Sequence, residues 1–138
     1  MTTRGTKTLY HVTHQKNINS IDLCGISPAF AKAPSGRIYF VDYDHIPWAL
    51  LHVATRDAVP VDTLAIFKCV IHRSHIRKEP MLGLYSARSV VIPASYDTFY
   101  GWWTRYCERL GALAARMEAA MRSSKMTPPP DDYSDIPF

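Results

Sequence analysis

Short runs of apolar residues separated by turn-forming residues set the pattern of the first hundred positions. Thr8–Thr13, with Leu9, Tyr10 and Val12, is rich in β-formers and predicts a first strand. A short helix is predicted from about Gln15 to Cys24, with Thr13 as its N-cap, Ile18 and Ile21 facing the core, and Gly25 closing it. Pro28 to Gly36 reads as a loop, because Pro28, Pro34, Ser35 and Gly36 punctuate it. Arg37–Asp42 predicts a second strand. Asp44 and Pro47 mark the start of a second helix, with Trp48, Leu51 and Thr55 on one face. Thr63–Ile71 and Tyr85–Ile92 predict a third and a fourth strand, the latter closed by Pro93.

From Asp97 to about Arg122 the period changes. Phe99, Trp103, Tyr106, Leu110, Leu113, Met117 and Ala120 follow one another at alternating spacings of four and three, the stripe of a long amphipathic helix. Glu118 and Arg122 add a favourable pair one turn apart. The stripe fits a helix packed on a sheet, and it also fits the seam of a homodimeric coiled coil. Adjacent Trp102 and Trp103 cannot both face one core. Pro128, Pro129 and Pro130 then end the helix with a stiff spacer. Strands interleaved with helices give an α/β chain of the α+β class. Its parts are a core over 1–96, a helix over 97–126 and a disordered acidic tail over 127–138.

A length of 138 residues with 47% apolar and 20% charged residues suits one globular domain and excludes wholesale disorder. No apolar run reaches the ~20 residues of a membrane helix. The opening residues carry charge with no apolar stretch behind it, so no secretory signal is expected. Three cysteines, Cys24, Cys69 and Cys107, do not make a disulfide framework, and a cytoplasmic location is the expectation. The charge is uneven. All sixteen Lys and Arg precede residue 127, against nine of the twelve acids, so the body carries +7 and the tail −3. A basic body suits a polyanion, nucleic acid first, although scattered charge is also an ordinary solvated surface.

The run Leu9-Tyr10-His11-Val12-Thr13, a short helix ending in Cys24-Gly25-Ile26, and the strand Gly36-Arg37-Ile38-Tyr39-Phe40 together resemble the opening of the ADP-ribosyltransferase-like fold. Ser89-Val90-Val91-Ile92-Pro93 is similar to that family's third motif, so the resemblance covers about residues 8–96. It implies a small split sheet with flanking helices and NAD as the cofactor. Cleavage of NAD at the nicotinamide–ribose bond demands a held ribose and a placed acceptor. By resemblance, His11 would bond a ribose hydroxyl, Tyr39 would stack on the nicotinamide ring, and Thr13 and Arg37 would add contacts to the cofactor. His11, Tyr39 and Ser89 are then the candidate catalytic residues. Ser89 stands where the family usually has a catalytic Glu, and a Ser supplies no negative charge. RNA 2′-phosphotransferases are relatives that lack this Glu; in such chemistry Arg37 and Arg88 would hold phosphates, since a guanidinium fork suits them. The alternative is that His11 and Tyr39 only pack.

The segment Asp131-Asp132-Tyr133-Ser134-Asp135-Ile136-Pro137-Phe138 resembles the acidic tip of bacterial single-stranded DNA-binding protein. That resemblance implies docking into genome-maintenance enzymes. Phe138 would fill an apolar pocket while its carboxylate meets a basic side chain, with Ile136 and Pro137 beside it. Asp131, Asp132 and Asp135 would meet a basic rim. A tail that only keeps a basic protein soluble is the plainer reading. Together the two resemblances describe a bacterial or phage protein of the replication or repair machinery. It is either a transferase acting on nucleic acid or a bound protein, or a non-catalytic mimic of the tip. Binding of single-stranded DNA by the body is a further alternative; that fold is a five-stranded barrel.

Weaker signals remain. Cys69, His72 and His75 lie close together, but no fourth ligand has natural spacing, and no metal is expected. Arg73, Arg77 and Lys78 form a basic cluster, the best candidate for a patch that contacts nucleic-acid phosphate. His45 and His52 bracket the second helix and suit surface or capping roles.

Overall fold

The structure is a computed structural model that describes residues 5–31 and 35–124. Its strands are β1 (Thr6–His14), β2 (Ile38–Val41), β3 (Leu64–His72), β4 (Arg77–Lys78), β5 (Leu84–Ala87) and β6 (Ser95–Thr98). Its helices are α1 (Ile18–Cys24), α2 (Ile46–Asp57) and α3 (Phe99–Ser124). All strand pairs are antiparallel, in the order β4-β5-β2-β1-β3-β6. The α+β class expected from the pattern is therefore the observed one. The chain divides into two compact units, one ending at Trp102 and one starting at Trp103.

β1 and β3 form the spine of the sheet, paired along all nine residues from Thr6↔His72 to His14↔Leu64. The β1–β2 junction is narrow by contrast, with Tyr10↔Val41 as its register pair. Two three-stranded halves, β4-β5-β2 and β1-β3-β6, thus meet at a thin seam beside His11.

Because side chains alternate across a strand, the register assigns the two faces of the sheet. One face carries Leu9, Ile38, Phe40, Ala65, Phe67, Cys69, Ile71 and Ala87, buried against Ile21 of α1 and against Ile26 and Val91. The other carries the buried Val12, Val41, Leu64 and Ile66, on the side where Asp57 of α2 bonds His14 at 3.1 Å. α2 buries Ile46, Ala49, Leu50 and Val53. This corrects the predicted stripe: Leu51 is exposed and Trp48 sits at the surface, its ring stacked on His52. Pro47 lies in the first turn as predicted, but the buried arc runs through Ile46, Ala49, Leu50 and Val53 and includes none of the positions chosen from the sequence.

Other boundaries also move. The predicted strand Tyr85–Ile92 stops at Ala87; Arg88 and Ser89 form a bend, and Val91 makes a lone antiparallel bridge to Ile26. β4 and β6 were not predicted. β4 has two residues, and β6 (Ser95–Thr98) lies partly inside the segment read as helix; its pairing with Ala65–Lys68 holds it extended. Thr13 does not cap α1 from its N-cap position; its Oγ1 accepts from Asn17 Nδ2 at 3.0 Å, in the short turn that precedes the helix. Gly25 closes α1 as predicted, its N–H donating to Ile21 O at 2.7 Å. Trp102 is buried and Trp103 exposed, as their adjacency requires. Within the second unit the ring of Trp103 stacks on Tyr106, and Leu110, Leu113 and Met117 are about half exposed. The tail read as disordered, with Asp131–Phe138, lies outside the described residues.

Candidate functional site

His11 stands at the seam. β1 and β2 separate beyond Tyr10↔Val41, and the His11 imidazole turns its Nδ1 toward the Tyr39 carbonyl at 2.8 Å. A carbonyl only accepts, so Nδ1 carries the proton and Nε2 is left as the acceptor of a neutral ring. Burial holds His11 below its ordinary value of 6.5; the Tyr39 carbonyl opposes that shift and Arg56 adds to it. His11 as a residue is half-buried. Its ring lies 5.6 Å from the Phe40 ring, on the same sheet face. Thr13 shares that face two residues on, its hydroxyl engaged by Asn17.

Tyr39 follows the opposite alternation to Phe40, so its phenol is on the other face. Its hydroxyl is 2.9 Å from Ser35 Oγ. The structure thus joins the His11 ring to the Tyr39 backbone and separates the two rings that the resemblance pairs on one cofactor.

A second constellation forms where β2 starts, β5 finishes and β4 starts. The register Ile38↔Ala87 puts Arg37 beside Arg88, and Arg77↔Ser86 brings Arg77 next to them. A cavity of about 400 Å³ opens there, lined by Arg37, Ser74, His75, Ile76, Arg77, Arg88 and Ser89. Arg37 is 7% exposed and anchors the floor. Its Nε donates to Ser86 Oγ at 2.7 Å and its Nη2 to the Ser86 carbonyl at 3.4 Å. Ser86 Oγ donates onward to Glu79 Oε2 at 2.9 Å, and that oxygen also accepts from Arg77 Nε at 2.8 Å. Glu79 Oε1 takes Arg77 Nη2 at 3.3 Å, which completes a two-bond fork. Arg77 first, then Ser86, holds the Glu79 carboxyl below its usual range. Burial, then Arg77 and Arg88, pushes the Arg37 guanidinium down, and Glu79 only partly offsets them.

Of the residues singled out from the sequence, Arg37, Arg77, Arg88 and Ser89 converge on this cavity, while Arg73 and Lys78 lie outside its lining. Arg73 sits in the turn Arg73–His75, its N–H donating to Gly5 O at 2.6 Å, and Lys78 pairs with Tyr85 in the ladder. Ser74, His75, Ser86 and Glu79 were not among the predicted site residues. The sequence singles out His75 only as one of three close-set possible metal ligands, and Ser86 lies inside the predicted strand Tyr85–Ile92, where the structure buries it.

Cys69 is buried in the core, where burial pushes its thiol up to about 12 and leaves it unreactive. Among the described residues no group of three or more His, Cys, Asp or Glu is placed to hold a metal ion. No helix among them is long and apolar enough to cross a membrane. Comparison with known proteins finds no family model, no curated protein and no solved structure that matches this chain.

Proposed function

We propose that this chain is an ADP-ribosyltransferase-like protein that binds NAD, transfers its ADP-ribosyl group to nucleic acid or a bound protein, and is recruited to genome-maintenance enzymes by the segment Asp131–Phe138. The supporting observation is the seam at His11. β1 and β2 share the single register pair Tyr10↔Val41 there, and the His11 Nδ1 donates to the Tyr39 carbonyl, which leaves Nε2 as the acceptor of a neutral ring. Such a nitrogen accepts from a ribose hydroxyl without needing to change its charge. Tyr39 supplies an aromatic face on the opposite side of the sheet, and Arg37, just ahead of β2 and two residues before Tyr39, lines the cavity.

A second reading is favoured by the cavity itself. Its lining holds no carboxylate, the resemblance would put Ser89 where the third motif usually has a Glu, and Glu79 is taken up by Arg77 and Ser86. With no acid to favour a positive ribose, the body would bind a nucleotide without cleaving it, and the Asp131–Phe138 segment would carry the function by competing for tip-binding enzymes. Single-stranded DNA binding by the body is the third reading. The sheet here is open, with β4 and β6 at its edges, where that reading expects a closed five-stranded barrel.

Nicotinamide release from NAD in the presence of single-stranded DNA separates these readings. The informative variant is His11→Asn, whose side-chain amide replaces the Nδ1 donor and removes Nε2. Release by the wild type and its loss in His11→Asn support the transferase. No release by a folded wild type, with partner capture lost on deletion of Phe138, supports the mimic. Salt-sensitive binding of oligo-dT by a chain cut after residue 124 supports the third reading.

A further inference from the structure

We infer that the cavity at the adjoining ends of β2, β4 and β5 is a binding site for a phosphate centre carrying about two negative charges, either the terminal phosphate of a nucleic-acid end or the two linked phosphates of a dinucleotide's diphosphate bridge. It deepens the proposed function by naming the chemical group, and rests on that function only for the choice between those two sources.

Three neighbouring strand ends each deliver an arginine to one cavity, against the single carboxylate of Glu79. Like charges gathered in this way repel one another and are costly without a counter-charge. Glu79 satisfies Arg77 through both of its oxygens, so Arg37 and Arg88 retain the excess. Arg37 is not a mobile surface group: two bonds to Ser86 hold its Nε and Nη2 and fix the plane of the guanidinium. A buried, oriented arginine is prepaid in rotamer entropy, which is what separates a site from a basic patch. Ser74, Ser89 and His75 add polar groups to the wall.

The size and donor set select the ligand. A volume of about 400 Å³ lies at the small end of ligand pockets and takes a phosphate or diphosphate with part of its attached group, not a whole dinucleotide. Guanidinium forks match the paired oxygens of phosphate. A lone internal phosphodiester of a nucleic-acid strand carries one charge, whereas a terminal phosphate carries about two, and so do the two linked phosphates of a diphosphate bridge taken together.

Calorimetric titration of the full chain in ~150 mM salt tests this, with inorganic pyrophosphate as the first probe. Matched oligonucleotides with a 5′-phosphate or a 5′-hydroxyl, and NAD, follow as competitors. Saturable pyrophosphate binding is expected, weakened at least ~10-fold by Arg88→Gln and by Ser89→Asp, two exposed positions at the bend after β5. Glu79→Gln keeps an acceptor for Arg77 but removes its charge, and it is expected to tighten binding. Displacement by the 5′-phosphorylated strand and not by its hydroxyl twin assigns a nucleic-acid end; displacement by NAD assigns the dinucleotide. Equal binding by wild type, Arg88→Gln and Ser89→Asp overturns the inference. So does binding of a peptide with the sequence Asp131–Phe138 as tightly as pyrophosphate. The readout involves no turnover, so absence of nicotinamide release leaves this result standing.

Discussion

The imidazole of His11 donates through Nδ1 to the backbone carbonyl of Tyr39 at 2.8 Å, at the point where β1 and β2 cease to pair as a ladder. A side chain here does work that a strand backbone does elsewhere in the sheet. His11→Ala leaves a part-buried carbonyl without this donor and is expected to cost ~1–3 kcal/mol. His11→Asn, which restores a donor near the Nδ1 position, is expected to recover most of that loss. Urea denaturation of the three proteins checks this, and an unchanged slope with denaturant would show that the unfolded states are comparable.

The same residue sets a pH dependence. Burial lowers the His11 value below 6.5, so the unfolded chain binds a proton that the folded chain refuses. Stability is therefore complete above 6.5 and falls as the pH drops from there toward the folded value. Glu79 adds a second decline at lower pH. Its value is depressed below 4.5, so its contribution is present above 4.5 and is lost as the pH falls through the folded value. Midpoints measured from pH 8 to 3 should show both phases, and His11→Asn should abolish only the upper one.

Ser86 joins Arg37 to Glu79 from a fully buried position. Ser86→Ala removes an acceptor from a buried cation and a donor from a carboxylate, and is expected to cost about 2–3 kcal/mol, the range for hydrogen bonds to charged groups. It should also weaken pyrophosphate binding by freeing the Arg37 side chain to rotate. Thermal melting and the calorimetric titration measure the two effects separately.

Gly25 is required twice. Its φ of 76° with ψ near 180° is a conformation that side chains avoid. A methyl group there would also meet Ile92 Cδ1 at 2.7 Å, Val90 Cγ1 at 2.9 Å and the Val91 carbonyl at 3.0 Å. Gly25→Ala is expected to lose ~1–3 kcal/mol from strain alone, and more from displacing the Ile26–Val91 bridge. Hydrogen exchange at the Ile26 and Val91 amides, which bond each other's carbonyls at 2.8 and 3.0 Å, would report that displacement directly.

α3 offers a test of self-association. Leu110, Leu113 and Met117 keep about half of their surface exposed at spacings of three and four. If the stripe pairs two copies, sedimentation of the wild type gives a dimer and Leu110→Asp with Leu113→Asp gives a monomer. A wild type that sediments as a monomer at high concentration would exclude the coiled-coil reading.

Much of this chain could be read one element at a time. The strands at residues 8–13, 37–42 and 63–71, the Gly25 stop, the Pro47 start and the split between Trp102 and Trp103 depend on propensity, capping and backbone sterics, which act within a few residues. His11, Tyr39, Arg37, Arg88 and Arg77 could also be picked out as residue types suited to nucleotide and phosphate chemistry. Their mutual positions could not. β4 and β6 are too short to carry a period, and they exist because Ser86 and Phe67 offer paired neighbours. The stripe of α2 was misplaced because the arc that is buried depends on which way the sheet face below it points.

Residue chemistry was thus set by the sequence, and residue company by the register. The antiparallel register Tyr10↔Val41 sets His11 opposite Phe40, so Tyr39, one residue along the same strand, faces the other side of the sheet. The antiparallel pairing of β5 with β2 and β4 brought Arg37, Arg77 and Arg88, up to 51 positions apart in the chain, to one cavity. No local pattern encodes such a meeting, because the hydrogen-bond ladder that aligns three strand ends forms only once the chain has folded.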